Sequence, residues 1–182
     1  APLDVIRYLV QEYPASLQVT DNDGDLPLHC ACACRAPLDV VRYLVQKYPE
    51  SLEVTDNCGN LPLHFACISR TPLEVVRYLV QEYPASLQVT SNGDLPLHFA
   101  CNFEATDIIR YWVLDVVQYL VQEYPQSMQV ANRYGYLPIE LAKRSWISNK
   151  SLREVVAWLE SVTAGGAAFD DMALPLLMSQ NF

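Results

Sequence analysis

One string of four residues, Leu-Pro-Leu-His, returns three times in this chain, at 26–29, 61–64 and 95–98, and once more, altered to Leu-Pro-Ile-Glu, at 137–140. The spacings are 35, 34 and 42 residues. A fixed period of about 20 to 50 residues marks a stacked array, in which each unit can bury its apolar face only against its neighbours. A chain of 182 residues is then one short array with a continuous core.

A second block alternates with the first. It reads PLDVIRYLVQEYPASLQVT from Pro2, PLDVVRYLVQKYPESLEVT from Pro37, PLEVVRYLVQEYPASLQVT from Pro72 and VLDVVQYLVQEYPQSMQVA from Val113, with a degenerate SLREVVAWLESV from Ser151. Leu38, Val41, Leu44, Val45 and Tyr48 keep the spacing that gathers side chains on one helical face, while Arg42, Gln46 and Lys47 point outward. Pro37 and Pro72 suit a first helical position, where no amide hydrogen is needed. Thr71 with Glu74, and Ser151 with Glu154, have capping-box spacing. Asp4, Asp39, Glu74 and Asp115 fall in first turns, where negative charge offsets the helix dipole. Pro14, Pro49, Pro84 and Pro125 disfavour the helical conformation in the tyrosine before each and so end the helices. A β-leaning stretch and a turn follow, with Gly24, Gly59, Gly93 and Gly135 placed to supply positive φ. Each unit is expected to be a turn, a short inner helix and a longer outer helix, an all-α class.

The composite G-x-LPLH-x-AC followed by L-(D/E)-VV-x-YLV resembles the ankyrin repeat, whose usual form is G-x-TPLH-x-A-A and then L-x-x-V-x-x-L-L. The match covers nearly everything from residue 1 to about 162. Leu26, Leu61 and Leu95 stand where ankyrin repeats have threonine, which removes a hydroxyl hydrogen bond from the turn. The glycine between the helices is absent, YP-x-SL lengthens the unit to 35, and cysteine replaces the second alanine. The resemblance implies an ankyrin-type helical repeat solenoid with short β-like turns, used for protein binding without catalysis. The layout is a partial N-terminal repeat, an outer helix, over 1–20, then repeats with a C-terminal cap over 21–163, then a tail over 164–182. In the cap, Glu140 replaces the histidine and Lys143 the small core residue.

Charge and chemistry narrow the function further. The formal net charge of −9, from 21 acidic and 12 basic residues, repels a phosphate backbone, so nucleic acid is not an expected partner. A hydrophobic content of 51% points instead to a surface covered by a large protein partner. The longest apolar runs fall far short of the roughly 20 residues that span a bilayer. Six cysteines in a chain with enough apolar residues for a core need no disulfide framework, and a reducing intracellular compartment, cytoplasm or nucleus, is expected. The chain opens with Ala1, so a targeting segment upstream, and with it an organelle interior, stays open. His29, His64 and His98 recur at the repeat period and would form a structural ladder, as the matching histidine does in ankyrin repeats. Cys32, Cys67 and Cys101 share one slot and read as a packed column. In His29–Cys34, Cys30 and Cys34 share a helical face while Cys32 points away, so the three thiols do not converge on one ion. No phosphate loop, nucleophile elbow or metal-binding histidine pair appears, so no catalytic residue, metal or cofactor is expected.

The candidate contact surface comes from stacking. The residue after each ladder histidine should face a concave groove, which gives Cys30, Phe65, Phe99 and Leu141, flanked by Ile68 and Phe103. Alternatively the inner helices rotate enough to bury the phenylalanines against the outer layer. Asp21, Asp23 and Asp56 at the turn tips would steer a partner with basic surroundings. The extra residues of CNFEATDIIRYWVLDVV make Ile108, Ile109 and Trp112 either a docking knob or a flap folded back over the stack. The tail, with Phe169, Met172, Leu174, Leu176, Leu177 and Met178, is either an anchoring peptide or a strip along the last repeat. The chain starts on an outer helix without its inner partner, so further repeats or another protein should cover that edge, and residues 1–20 alone should fray. Three functions fit in descending order: an adaptor that holds a polypeptide, a permanent subunit of a large assembly, and a regulatory fragment of a longer enzyme.

Overall fold

The computed structural model describes the backbone of residues 2–102, 110–148 and 153–165. Over these residues the chain is an alternation of inner and outer helices. The inner helices are α2 (Pro27–Ala33), α4 (Pro62–Ser69) and α6 (Pro96–Cys101), each of eight residues or fewer, and the longer α8 (Pro138–Ser148, 11 residues). The outer helices are α1 (Leu3–Glu12), α3 (Leu38–Lys47), α5 (Leu73–Glu82), α7 (Arg110–Glu123) and α9 (Arg153–Gly165). Each inner helix packs on the outer helix that follows it, inner helices pack on inner ones, and outer on outer. Two helical layers result, with no strand among the described residues and one isolated bridge between Ser91 and Asp94.

The core lies between the layers. In α3 the buried positions are Val41, Leu44 and Val45 of the face the sequence pattern assigns inward, together with Val40, which that pattern does not include, while Leu38 and Tyr48 are half-buried; Leu28 and Cys32 of α2 join the same cluster. Cys32, Cys67 and Cys101 are free, fully buried thiols in that column. Burial pushes each thiol upward, that of Cys101 to about 12, so all three stay protonated and act as small apolar side chains.

The helix starts differ from expectation. Pro37 and Pro72 are extended N-cap residues (ψ 157° and 143°), one place before the first helical residue. Either place tolerates a missing amide hydrogen, and here the proline carbonyl receives the first helical bonds, from Val41 and Val76. Thr71 therefore lies outside the helix and does not form the expected capping box. Its amide and hydroxyl donate instead to the Ala66 carbonyl and close the end of α4. Ser151 of the second expected box lies outside the described residues. The prolines at first helical positions are Pro27, Pro62 and Pro96. Where the family has glycine between the helices, Arg35 (φ 54°) and Arg70 (φ 61°) hold the left-handed conformation. The bonds from Ala36 to Ala31 and from Thr71 to Ala66 wrap around them in the Schellman pattern.

The YP-x-SL motif is a 3₁₀ turn, seen at Pro14–Gln18, Pro49–Leu52, Pro84–Gln88 and Pro125–Gln129. Each turn is clamped by its serine, whose hydroxyl donates to the carbonyl of the tyrosine before the proline. The four glycines adopt φ between 81° and 88° as expected. The 34-residue spacing arises where Ser91 and Asp94 exchange backbone bonds around Asn92 (φ 50°) and Gly93 (φ 88°), a turn one residue shorter than the others. The 42-residue spacing is taken up in part by α7, with 14 residues against 10 in α1, α3 and α5.

Candidate protein-binding surface

The ladder histidines explain why the units keep register. In all three, Nδ1 accepts the amide of the leucine three residues earlier at 3.0 Å: Leu26 to His29, Leu61 to His64 and Leu95 to His98. This is half of a capping box, because leucine offers no side-chain acceptor for the reciprocal bond. With Nδ1 accepting, the ring proton sits on Nε2 and is donated to the next unit, at 3.1 Å to the Val54 carbonyl from His29 and to the Val89 carbonyl from His64. Nε2 of His98 lies near the backbone of Val130 and Tyr136 without a bond of good geometry. Burial lowers all three imidazoles, His64 to about 4, and keeps them neutral. Glu140 keeps half of this arrangement, accepting the Leu137 amide at 2.7 Å. A carboxylate has no proton to pass to a following unit.

Phe65 and Phe99, which follow His64 and His98, face the preceding unit rather than an open groove. The ring of Phe65 meets that of His29 edge-on at 5.5 Å, and that of Phe99 meets His64 at 5.6 Å. Both phenylalanines are consequently half-buried in the seam between inner helices. Leu141, in the same register, is 8% exposed and belongs to the core, a correction to its expected place in the groove. Cys30 is exposed. Ile68, one turn further along α4, is 44% exposed. Phe103, Ile108 and Ile109 lie outside the described residues, as does the side chain of Trp112.

The turn tips form a second ladder. Asp21 Oδ1 accepts the amides of Asp23 and Asp25, Asp56 Oδ1 those of Cys58 and Asn60, and Asn132 Oδ1 those of Tyr134 and Tyr136. Asp21 and Asp56 thus shape their turns as well as charging them. Neighbouring tips are tied by bonds from Asn57 to the Asn22 carbonyl, from Asn92 to the Cys58 carbonyl and from Asn132 to Asp94. The tips change character along the array. The first two carry Asp21, Asp23, Asp25 and Asp56, whereas the last carries exposed Tyr134 and Tyr136 under Arg133 and Arg144, each guanidinium 4.6 Å from a ring centre. Sequence reading did not single out this aromatic end. The available signal was two tyrosines in a turn, Asn-Arg-Tyr-Gly-Tyr, where no core position requires them.

Ligand atoms of Asp21, Asp25 and Cys30 lie within 4.8 Å of one another, a grouping that the helical geometry of the cysteines alone does not predict. Burial, then the charges of Asp25 and Asp21, raise the Cys30 thiol, and burial is also the main cause of the raised Asp25 carboxyl. Exposed acidic groups often gather in this way without an ion, and no ligand function is assigned to these three. Among the described residues, no helix is long and apolar enough to cross a membrane.

The sequence model of a family described as ankyrin repeats (many copies) matches residues 8–66 and, overlapping them, 44–100. A comparison with curated proteins found no match.

Proposed function

Because the chain belongs to the ankyrin-repeat family, we propose that it is a non-catalytic adaptor that holds a polypeptide along the inner helices and turn tips. Ankyrin repeats are generally protein–protein interaction modules, and proteins built from them are typically non-catalytic. The observation that carries the reading is the recurrence of open apolar side chains on successive inner helices. Exposed Ile68 and half-buried Phe65 and Phe99 lie on consecutive inner helices, in an array whose tips run from acidic at the first two turns to aromatic and basic at the last. A partner with basic groups at one end and acidic or aromatic groups at the other complements this gradient. Six free thiols suit a reducing compartment, which we include in the proposal.

The test uses partners captured by the full chain and identified by mass spectrometry. Ile68→Asp combined with Tyr134→Ser should weaken their binding about tenfold or more, since buried aromatic and aliphatic anchors dominate such interfaces. Arg42→Ala, on the opposite helical layer, should leave binding unchanged. Equal retention by both variants would remove the surface from consideration.

A further inference from the structure

The residue before each turn-tip glycine changes along the array, from Asp23 to Cys58, Asn92 and Tyr134. At three of these tips the glycine amide is tied down. Gly24 donates to the Asp21 carbonyl at 3.2 Å, Gly59 to that of Asp56 at 3.1 Å and Gly135 to that of Asn132 at 2.8 Å. The third tip is one residue shorter, and there the Ser91 carbonyl accepts from Asp94 at 2.8 Å instead. The Gly93 amide is left without an acceptor among the described residues. The one unbonded amide of the four is therefore the one that follows an asparagine, in the single Asn-Gly pair of the chain.

Succinimide formation needs a side-chain carboxamide, a following amide nitrogen free to lose its proton, and no side chain on that residue to hinder the attack. Asn92 and Gly93 meet all of these, and Asn92 is exposed to the water that completes the reaction. We propose that Asn92–Gly93 is a self-modification site, which converts to aspartate and isoaspartate in the folded protein and so loosens the third tip from the second. The Gly93 nitrogen gives its proton to hydroxide and attacks Asn92 Cγ. The Cγ–Nδ2 bond then breaks, and ammonia leaves with a proton from water. Water opens the ring by breaking either bond to the Gly93 nitrogen, from Cγ to give aspartate or from the backbone carbonyl to give isoaspartate. The sum consumes water and releases ammonia, with no oxidation or reduction.

The same carboxamide links neighbouring units. Nδ2 donates to the Cys58 carbonyl at 3.1 Å, and Oδ1 accepts from Arg133 at 3.4 Å. Either product sets a carboxylate oxygen against the Cys58 carbonyl, one acceptor facing another, and strengthens the attraction to the Arg133 guanidinium. In isoaspartate the chain also runs through Cγ, which adds a backbone atom between Ser91 and Asp94 and breaks their reciprocal bonds. The Ser91 hydroxyl, which donates to the same Cys58 carbonyl at 3.2 Å, is displaced with them. Asp23, before the bonded Gly24 amide, is spared the equivalent ring closure.

Peptide mapping by mass spectrometry, with fragmentation that distinguishes isoaspartate from aspartate, tests this on the full chain incubated at mildly alkaline pH. Asn92 should convert before any other asparagine, and no more than about tenfold slower than in the same chain unfolded in urea, since an exposed loop opens at little cost. Asn92→Gln, whose longer side chain disfavours ring closure, should stay unconverted. The isoaspartate form, separated on an anion exchanger by its added negative charge, should then exchange the Ser91 and Asp94 amide hydrogens at least about tenfold faster than the starting chain, with the Gly24 amide unchanged. A folded chain slower than the unfolded one by more than that tenfold margin, earlier conversion at another asparagine, or equal exchange at Ser91 and Asp94 would overturn the proposal.

Discussion

Helices α1 and α5 differ at two positions, Asp4 for Glu74 and Ile6 for Val76, yet they live in different solvents. Leu79 is 1% exposed and Val75 fully buried, while Leu9 and Val5 are 50% and 47% exposed. Nothing in the helix itself accounts for the contrast. Helix α5 has α4 beneath it and α3 and α7 on either side, whereas α1 packs on α3 and the turn that follows it. Burial in this fold is conferred by the neighbouring units, so stability resides at the seams as much as within any repeat. The most direct way to break this conclusion is to truncate the same side chain in both places. Leu79→Ala should cost about 2–5 kcal/mol in urea unfolding, as for a well-packed core leucine. Leu9→Ala should cost about 1 kcal/mol or less, because half of its surface already meets water. Equal costs would mean that burial by neighbouring units does not set what each leucine contributes.

The same contrast can be sharpened with pH, because the seams are closed by neutral histidines. The folded-state pKa of His64 is lowered by burial to about 4 from an ordinary 6.5. Above pH 6.5 both folded and unfolded chains hold it neutral and the seam keeps its full stability. Between pH 6.5 and 4 the unfolded chain takes up the proton while the folded one does not, so stability falls as the pH drops. The loss approaches about 3 kcal/mol below that window. Asp25, raised mainly by burial, binds its proton more readily in the folded state and works against the loss. Asp56, lowered by bonds from Asn60 and Cys58 that outweigh its burial, adds a further loss below its ordinary 3.8. His64→Gln keeps an acceptor for the Leu61 amide, as Glu140 does for Leu137, and should flatten the unfolding free energy between pH 6.5 and 4. An unchanged slope would place the titrating group elsewhere.

Much of this was legible in the sequence, for a physical reason. A helix that repeats Val-Val-x-x-Leu-Val can hide those side chains in one orientation only, so the outer helices, the thiol column and the histidine ladder follow from spacing. The position of Pro37 was not legible to one residue, because N-cap and first helical position both forgive a missing amide hydrogen. The 3₁₀ turn of YP-x-SL was hidden because it depends on a serine hydroxyl folding back to the tyrosine carbonyl, while Leu and Val nearby suggest β structure. The contact surface was legible least. Whether Phe65 faces a groove or the preceding His29 depends on a rotation of the inner helix that periodicity does not fix, and Leu141 in the same register became core.

Glycines at the turn tips give a smaller effect and the same lesson. Gly93 (φ 88°) and Gly135 (φ 81°) have nearly one backbone conformation. A Cβ on Gly93 would stand 3.0 Å from the Arg133 amide nitrogen and 2.8 Å from its Cβ, whereas one on Gly135 meets nothing within 4 Å. Gly135→Ala should therefore cost only the left-handed strain, about 1 kcal/mol. Gly93→Ala should cost about 1–2 kcal/mol more, since the next tip must move to make room. Thermal unfolding of the pair separates strain from stacking, and equal shifts would mean that the tips do not press on one another.

The outer layer carries the weakest of these seams. Arg7 lies over Tyr43 at 5.8 Å, Arg42 over Tyr78 at 5.4 Å and Arg77 over Tyr119 at 4.9 Å, each arginine reaching the ring of the next unit. The fourth unit has Gln118 at the arginine position, so Arg42→Gln copies a substitution the array already contains. At an exposed site a cation over a ring contributes about 0.5–1 kcal/mol. A double-mutant cycle of Arg42→Gln with Tyr78→Leu should give a coupling of about 0.5 kcal/mol. The cycle of Arg77→Gln with Tyr119→Leu should give more, because that distance is shorter and Tyr119 is buried. If both couplings were zero, the arginines would merely cross the rings, and the outer helices would be held together by their buried valines and leucines alone. If the order were reversed, burial of the ring would not be what strengthens the contact, and the rule drawn from α1 and α5 would stop at the apolar core.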